Sequence, residues 1–229
     1  MNQEIIVLTW ICTVIMLIGM LIMLIMKKKS NDISNVFYGL SFLILTISII
    51  LYMFAATNFH IYINDDPLYL NRYLDWILTT PFLLIIVCLI GMYYESRNEK
   101  LILRVVTINI VMILCGLVSD LSIGINQYIW LAIGLISFCI ILYLIWGPIE
   151  NIASTQGCDV YRLYKLLAVY ITVVWIGSSI LRASSPELLG LLNYKTYFYL
   201  ILIFPTIYKL GFIFLTLKGL KTIAKNNIN

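Results

Sequence analysis

Long unbroken runs of apolar residues recur along this chain, separated by short polar stretches. Seven are of bilayer length: Glu4–Met26, Val36–Phe59, Leu68–Met92, Leu101–Ser119, Asn126–Gly147, Leu163–Ala183 and Thr196–Leu217. A hydrocarbon core about 30 Å thick needs about 20 such residues in a helix. The runs lack the apolar–polar alternation of membrane-barrel strands. Each must therefore satisfy its backbone hydrogen bonds within itself, as a helix does. The pattern predicts an all-α membrane protein, a seven-transmembrane-helix bundle. The connections use nearly all remaining residues, so residues 1–229 are expected to form a single membrane domain. The first run is read as a span and not a cleaved leader, because no basic stretch precedes it and Lys27, Lys28 and Lys29 follow it.

Composition agrees. Hydrophobic residues make up 62% of the 229 and charged residues 11%, with mean hydropathy +0.99. Soluble domains are about 45–50% apolar and about 25% charged. The 15 Lys and Arg are unevenly placed. Arg182 and Lys195 fall at one set of span ends, and Arg72 and Lys209 within spans. All the others fall at the opposite ends. Cytoplasmic loops carry the basic excess, so the N-terminus is expected outside and the C-terminus in the cytoplasm. The net charge of +4 is then an orientation signal and predicts no nucleic-acid partner. Cys12, Cys88, Cys115 and Cys139 sit inside runs and Cys158 in a loop, with no metal-ligand spacing. The lone histidine, His60, reads as an exposed loop residue, and no metal site is expected.

The charges inside the spans carry the chemistry. Arg72, Asp75 and Lys209 each cost on the order of 2.5–3.5 kcal/mol at a helix centre, and such residues mark functional sites by default. A purely structural ion pair is the competing reading. Asp75 lies about 10 Å into the third span and Lys209 about 20 Å into the seventh, at 1.5 Å per residue. Arg72, Asp75 and Thr79 share one helix face, with Thr79 placed to hydrogen-bond Asp75. Desolvation favours a neutral lysine amine, the form that attacks an aldehyde. Asp75 is the only membrane carboxylate this reading finds to balance the resulting cation.

Arg72-Tyr73-Leu74-Asp75-Trp76-Ile77-Leu78-Thr79-Thr80-Pro81 resembles the third-helix motif of microbial rhodopsins, and Lys209-Leu210-Gly211-Phe212 resembles their retinal-binding segment. The resemblance extends over essentially the whole chain. It implies all-trans retinal, bound covalently as a Schiff base on Lys209, with Asp75 as counterion and Arg72 as the extracellular gate. By the same resemblance Trp76, Thr80, Met112, Gly116, Trp175, Pro205 and Trp130 belong to the cofactor pocket. For the aromatic residues and Met112, ordinary helix packing is the alternative.

Departures from the motif refine the expectation. Pro205 stands where most rhodopsins carry a second aspartate, and it frees a backbone carbonyl one turn earlier, at Ile201. With Thr57-Asn58-Phe59 and Tyr164–Tyr170, it resembles xenorhodopsins, which are light-driven inward proton pumps. Ile86 occupies the proton-donor position of outward pumps. Thr216 stands in place of a cytoplasmic aspartate, and an apolar residue near Leu45 in place of a histidine. Ser178-Ser179 replaces the usual Tyr-Pro pair. Glu150 is the remaining candidate for a cytoplasmic proton acceptor. The expected function is inward proton pumping in a prokaryotic cell membrane, by a non-enzyme in contact with lipid and assembled as a homo-oligomer. A photosensor signalling to a cytoplasmic partner, a light-gated channel and a non-retinal transporter are the rival readings.

Overall fold

In a bilayer the backbone must close its own hydrogen bonds, and this chain does so in long helices. The computed structural model describes residues 3–29, 33–57, 61–63, 66–68, 70–186 and 188–226. In chain order these form α1 (Gln3–Lys29), α2 (Asn35–Ala56), β1 (Ile61–Ile63), β2 (Asp66–Leu68), α3 (Leu70–Gly91), α4 (Glu99–Leu121) and α5 (Ile125–Leu144). A π-helical turn (Ile145–Ile149), α6 (Glu150–Ser154), α7 (Cys158–Ala183) and α8 (Tyr194–Asn226) follow. Seven helical spans among the described residues are long and apolar enough to cross a membrane.

Several boundaries differ from the expected ones. The second span stops at Ala56, where the Thr57 N–H and hydroxyl both turn back onto the Phe54 carbonyl. Leu68 pairs with Ile61 in a short antiparallel hairpin, so α3 starts only at Leu70. The fifth span runs on past Gly147 through the π turn and α6, and Cys158 opens α7 instead of lying in a loop. The last helix continues beyond Leu217 to Asn226, since no Pro or Gly pair breaks its polar end. His60, Asn58 and Phe59 lie outside the described residues.

Two local features join the helices. The Asn98 side chain caps α4 by accepting from the Leu101 N–H at 3.1 Å, satisfying an N-terminal donor that the helix leaves open. Gly124, at φ 67°, makes the turn between α4 and α5, a left-handed conformation that favours glycine.

The described residues group into two units, divided within α7 between Lys165 and Leu166. In the first, α1, α2, the greater part of α7 and α8 pack together. There α2 runs antiparallel to α8: Tyr52 reaches the Leu202 carbonyl and Ser48 reaches Lys209. In the second unit α4 lies antiparallel to α3 and to α5, through Thr80–Asn109 and Ser119–Gln127 contacts. The polarity is that of a membrane protein. Asp75, Asn109 and Lys209 are buried, while Ile18, Leu21 and Ile25 of α1 and Ile136 and Tyr143 of α5 are exposed.

Candidate functional site

Lys209 lies fifteen residues into α8, about 22 Å along it at 1.5 Å per residue. It is 1% exposed, and its Nζ donates to Ser48 Oγ on α2 at 2.8 Å. The surrounding backbone is held closely. Tyr170 of α7 donates its hydroxyl to the Tyr208 carbonyl at 3.1 Å. A Cβ on Gly211 would overlap that same Tyr170 hydroxyl, so glycine there lets α7 approach α8. Pro205, one turn before the lysine, is buried inside an unbroken helix. The hydroxyl that reaches this stretch from α2, that of Tyr52, goes to the Leu202 carbonyl at 3.0 Å. Trp175 is buried on α7, and Ser178 and Ser179 donate to the Val174 and Trp175 carbonyls, both at 3.0 Å.

The second unit carries the third-helix motif. Asp75 is 2% exposed. The Thr79 hydroxyl hydrogen-bonds Asp75, as the spacing predicts. It donates to the Asp75 backbone carbonyl at 2.5 Å, the acceptor one turn back that a helical threonine reaches most easily. Thr80 Oγ1 lies 2.8 Å from the Trp76 carbonyl and 2.8 Å from Asn109 Oδ1 of α4.

Arg72 extends to α4, where its Nη2 meets Asp120 Oδ2 at 3.0 Å. The Tyr73 hydroxyl donates to the same carboxylate oxygen and lies 3.3 Å from the Gly116 carbonyl. The Arg72 guanidinium also sits over the Tyr73 and Trp76 rings, at 4.8 and 5.3 Å. Asp75 is therefore not the only carboxylate within a span. Asp120 is 8% exposed and lies in α4, because that helix runs two residues past Ser119. Met112 and Gly116 are half-buried on α4, whereas Trp130 is 37% exposed on α5 beside exposed Ile129 and Ile133.

Glu150 belongs to the other end of α3. Gly91 packs against Ile149 and Tyr164, nineteen residues and about 28 Å of helix from Arg72. There Glu150 accepts from the Tyr161 hydroxyl at 2.9 Å and lies 3.8 Å from Lys165. Gln156 closes α3, donating to the Gly91 carbonyl and accepting from the Tyr94 N–H at 2.7 Å.

Sequence reasoning passed over Ser48, Asn109 and Asp120. Asp120 had a usable signal: it follows Gly116 by four residues, on the face that meets Tyr73. Ser48 had none, since its role depends on which helix lies against α8.

The structure thus defines a seven-span membrane protein with a primary amine enclosed in its last span. That amine is the group an aldehyde cofactor requires, and its enclosure away from water suits a hydrolysable linkage. Comparison with known proteins names the family. The bacteriorhodopsin-like protein family matches residues 3–223. Bacteriorhodopsin of Halobacterium halobium (strain port) is 27% identical over 180 residues, covering 73% of this chain and 83% of that protein. Sensory rhodopsin-2 of Natronomonas pharaonis is 28% identical over 163 residues, 70% of this chain and 66% of that one. The crystal structure of thermophilic rhodopsin from Rubrobacter xylanophilus superposes with a TM-score of 0.89 at 27% identity, covering 96% and 97% of the two chains. The chain belongs to the bacteriorhodopsin-like family of microbial rhodopsins. It is a multi-pass protein of the cell membrane, in a family that binds retinal through a Schiff base to a lysine.

Proposed function

We propose that this rhodopsin is a light-driven inward proton pump of the xenorhodopsin kind, with its N-terminus outside and retinal joined to Lys209. The observation that carries the linkage is the full enclosure of the Lys209 amine beside the Ser48 hydroxyl. Retinal, when bound, supplies light absorption and an isomerisation that re-aims the N–H at the Lys209 nitrogen. The protein's residues do the rest. Asp75 is the counterion and helps pass a proton taken up from the outer side to Lys209 Nζ. Arg72, neutralised by Asp120 and stacked on Trp76, guards the outer end. Ser48 orients the Lys209 nitrogen. Glu150, with Tyr161 and Lys165, takes up protons at the cytoplasmic mouth. Pro205 in place of an acid, and Ile86 at the donor position, support inward over outward transport, since neither side chain can hold a proton.

A sensor reading draws on the sensory rhodopsin relative and on the absence of an acid at Thr216. Light-driven pH change in a cell suspension, with and without a protonophore, tests the proposal. Alkalinisation of the medium that the protonophore abolishes, and that Asp75→Asn removes, is expected. Acidification refutes the inward direction, and a coloured protein that moves no protons favours the sensor.

A further inference from the structure

The contact between Lys209 and Ser48 fixes the register of α8 against α2, and the Tyr52–Leu202 bond fixes their antiparallel sense. Moving away from that contact by seven residues, forward on α8 and backward on α2, leads to Thr216 and Ser41. Seven residues are nearly two full turns, with a drift of only about 20°, so both remain on the facing sides of the two helices. The step carries the pair about 10 Å along the axis at 1.5 Å per residue, toward the Lys218 end. Three residues further back on α2 is Tyr38.

These three side chains share an unusual state. Ser41 and Thr216 are 0% exposed and Tyr38 is 2% exposed, yet none of their hydroxyls has a hydrogen-bond partner among the described residues. Other buried hydroxyls of the same unit do not behave this way. Thr9 and Thr13 of α1 and Thr206 of α8 each donate to the carbonyl four residues back. Ser41 and Thr216 leave that nearby acceptor unused. Buried hydroxyls are normally satisfied by protein or by ordered water, and a buried water needs two to four polar partners. Two facing hydroxyls, with a third one turn away, supply them. One turn away, Ile44 and Leu45 on α2 and Phe212 on α8 are apolar and buried.

We infer that Ser41, Thr216 and Tyr38 form an internal water site between α2 and α8, through which a proton released at Lys209 Nζ passes toward the Lys218 end. The site deepens the proposed pumping function and, as a relay, rests on it. A hydroxyl and a water each accept one proton and give up another, so the charge moves on and every group keeps its proton count. With no carboxylate among them, these residues conduct the proton without storing it.

The test uses the full retinal-loaded chain in lipid vesicles, with Ser41→Ala, Thr216→Val and, as a conservative control, Thr216→Ser. Light-minus-dark infrared spectra in H2-18O and H2-16O report internal water, and vesicle pH reports transport. Wild type is expected to show isotope-sensitive water bands that Ser41→Ala and Thr216→Val remove and Thr216→Ser keeps. Transport is expected to slow about ten-fold in those two variants, the effect of losing one hydrogen-bonding group in a barrier, with the visible absorption unchanged. Water bands unaltered by both substitutions overturn the site. Bands that change while transport does not overturn the relay. A coloured wild type that moves no protons overturns the pumping function and the relay together, and the water bands then decide the site separately.

Discussion

Replacing Asp120 by Asn isolates the interaction that sequence reading passed over. The carboxylate receives the Arg72 guanidinium at 3.0 Å and the Tyr73 hydroxyl, and the Arg72 and Asp120 side chains are 12% and 8% exposed. Asparagine keeps the shape and one acceptor oxygen but removes the negative charge that faces Arg72 Nη2. Removing one partner of a wholly buried pair costs roughly 3–5 kcal/mol, and a hydrogen bond to a charged group contributes about 1.5–3 kcal/mol. Slight access to water at Arg72 places Asp120→Asn toward the overlap, at about 2–3 kcal/mol. At about 2–4 °C per kcal/mol for a chain of this size, the midpoint falls by about 4–12 °C. Tyr73→Phe removes only a neutral donor and should cost about 1 kcal/mol. Thermal loss of helical circular dichroism in lipid nanodiscs reads all of these. Arg72→Gln combined with Asp120→Asn should cost less than the two separately, because the attraction between the two side chains is lost only once. An Asp120→Asn midpoint within about 1 °C of wild type, or a strictly additive double variant, would refute the pair as a stabilising unit.

Lys209→Arg should form no visible pigment when all-trans retinal is added, while helical content persists; absorption that survives the change would place the linkage on another lysine. Gln156→Leu leaves the Gly91 carbonyl and the Tyr94 N–H without their partner, at about 1–3 kcal/mol. Limited proteolysis between Met92 and Asn98 should accelerate several-fold, and an unchanged cleavage rate counts against the cap. Tyr164→Phe removes the hydroxyl that donates to the Ile145 carbonyl, at about 1 kcal/mol. Amide exchange over Ile145–Glu150 should quicken, and equal exchange in both proteins would show that the carbonyl is satisfied without it.

What the sequence makes legible is what the membrane makes expensive. Lys209 stands out because nothing apolar surrounds a cation at that depth without reason, and the seven spans stand out because lipid demands unbroken apolar length. Partners are harder to read, since they depend on which helices lie together. Asp120 was hidden by a boundary: ending the fourth span at Ser119 makes it a loop acid, whereas α4 continues through Leu121. Ser48 is one of several small polar residues in α2, and only its register against α8 distinguishes it. The Thr79–Asp75 bond was legible, because a hydroxyl inside a helix has a strong local acceptor in the backbone one turn back. The β1–β2 hairpin is three residues on each side, too short for any alternating pattern to announce it.

Pro148 and Pro205, two of the three prolines inside the described helices, leave different helix geometry around them. Each lacks an N–H and so interrupts the ladder of a membrane helix, where water cannot fill the gap. At Pro148 the helix widens: the Glu150 N–H reaches back five residues to the Ile145 carbonyl, and the buried Tyr164 donates to that same oxygen. Around Pro205 the α-helix stays continuous, and the Leu202 carbonyl takes the Tyr52 hydroxyl from α2 together with the Thr206 hydroxyl at 3.1 Å. In both places a tyrosine from a neighbouring helix donates to the carbonyl one residue past the one the proline frees, so each contact packs a helix beside the interruption. For α8 this has a functional side. The turn at Pro205 lies directly before Lys209, and the Tyr52 contact beside it comes from α2, which also supplies Ser48. The placement of the lysine nitrogen is therefore set by α2 as much as by the helix that carries it.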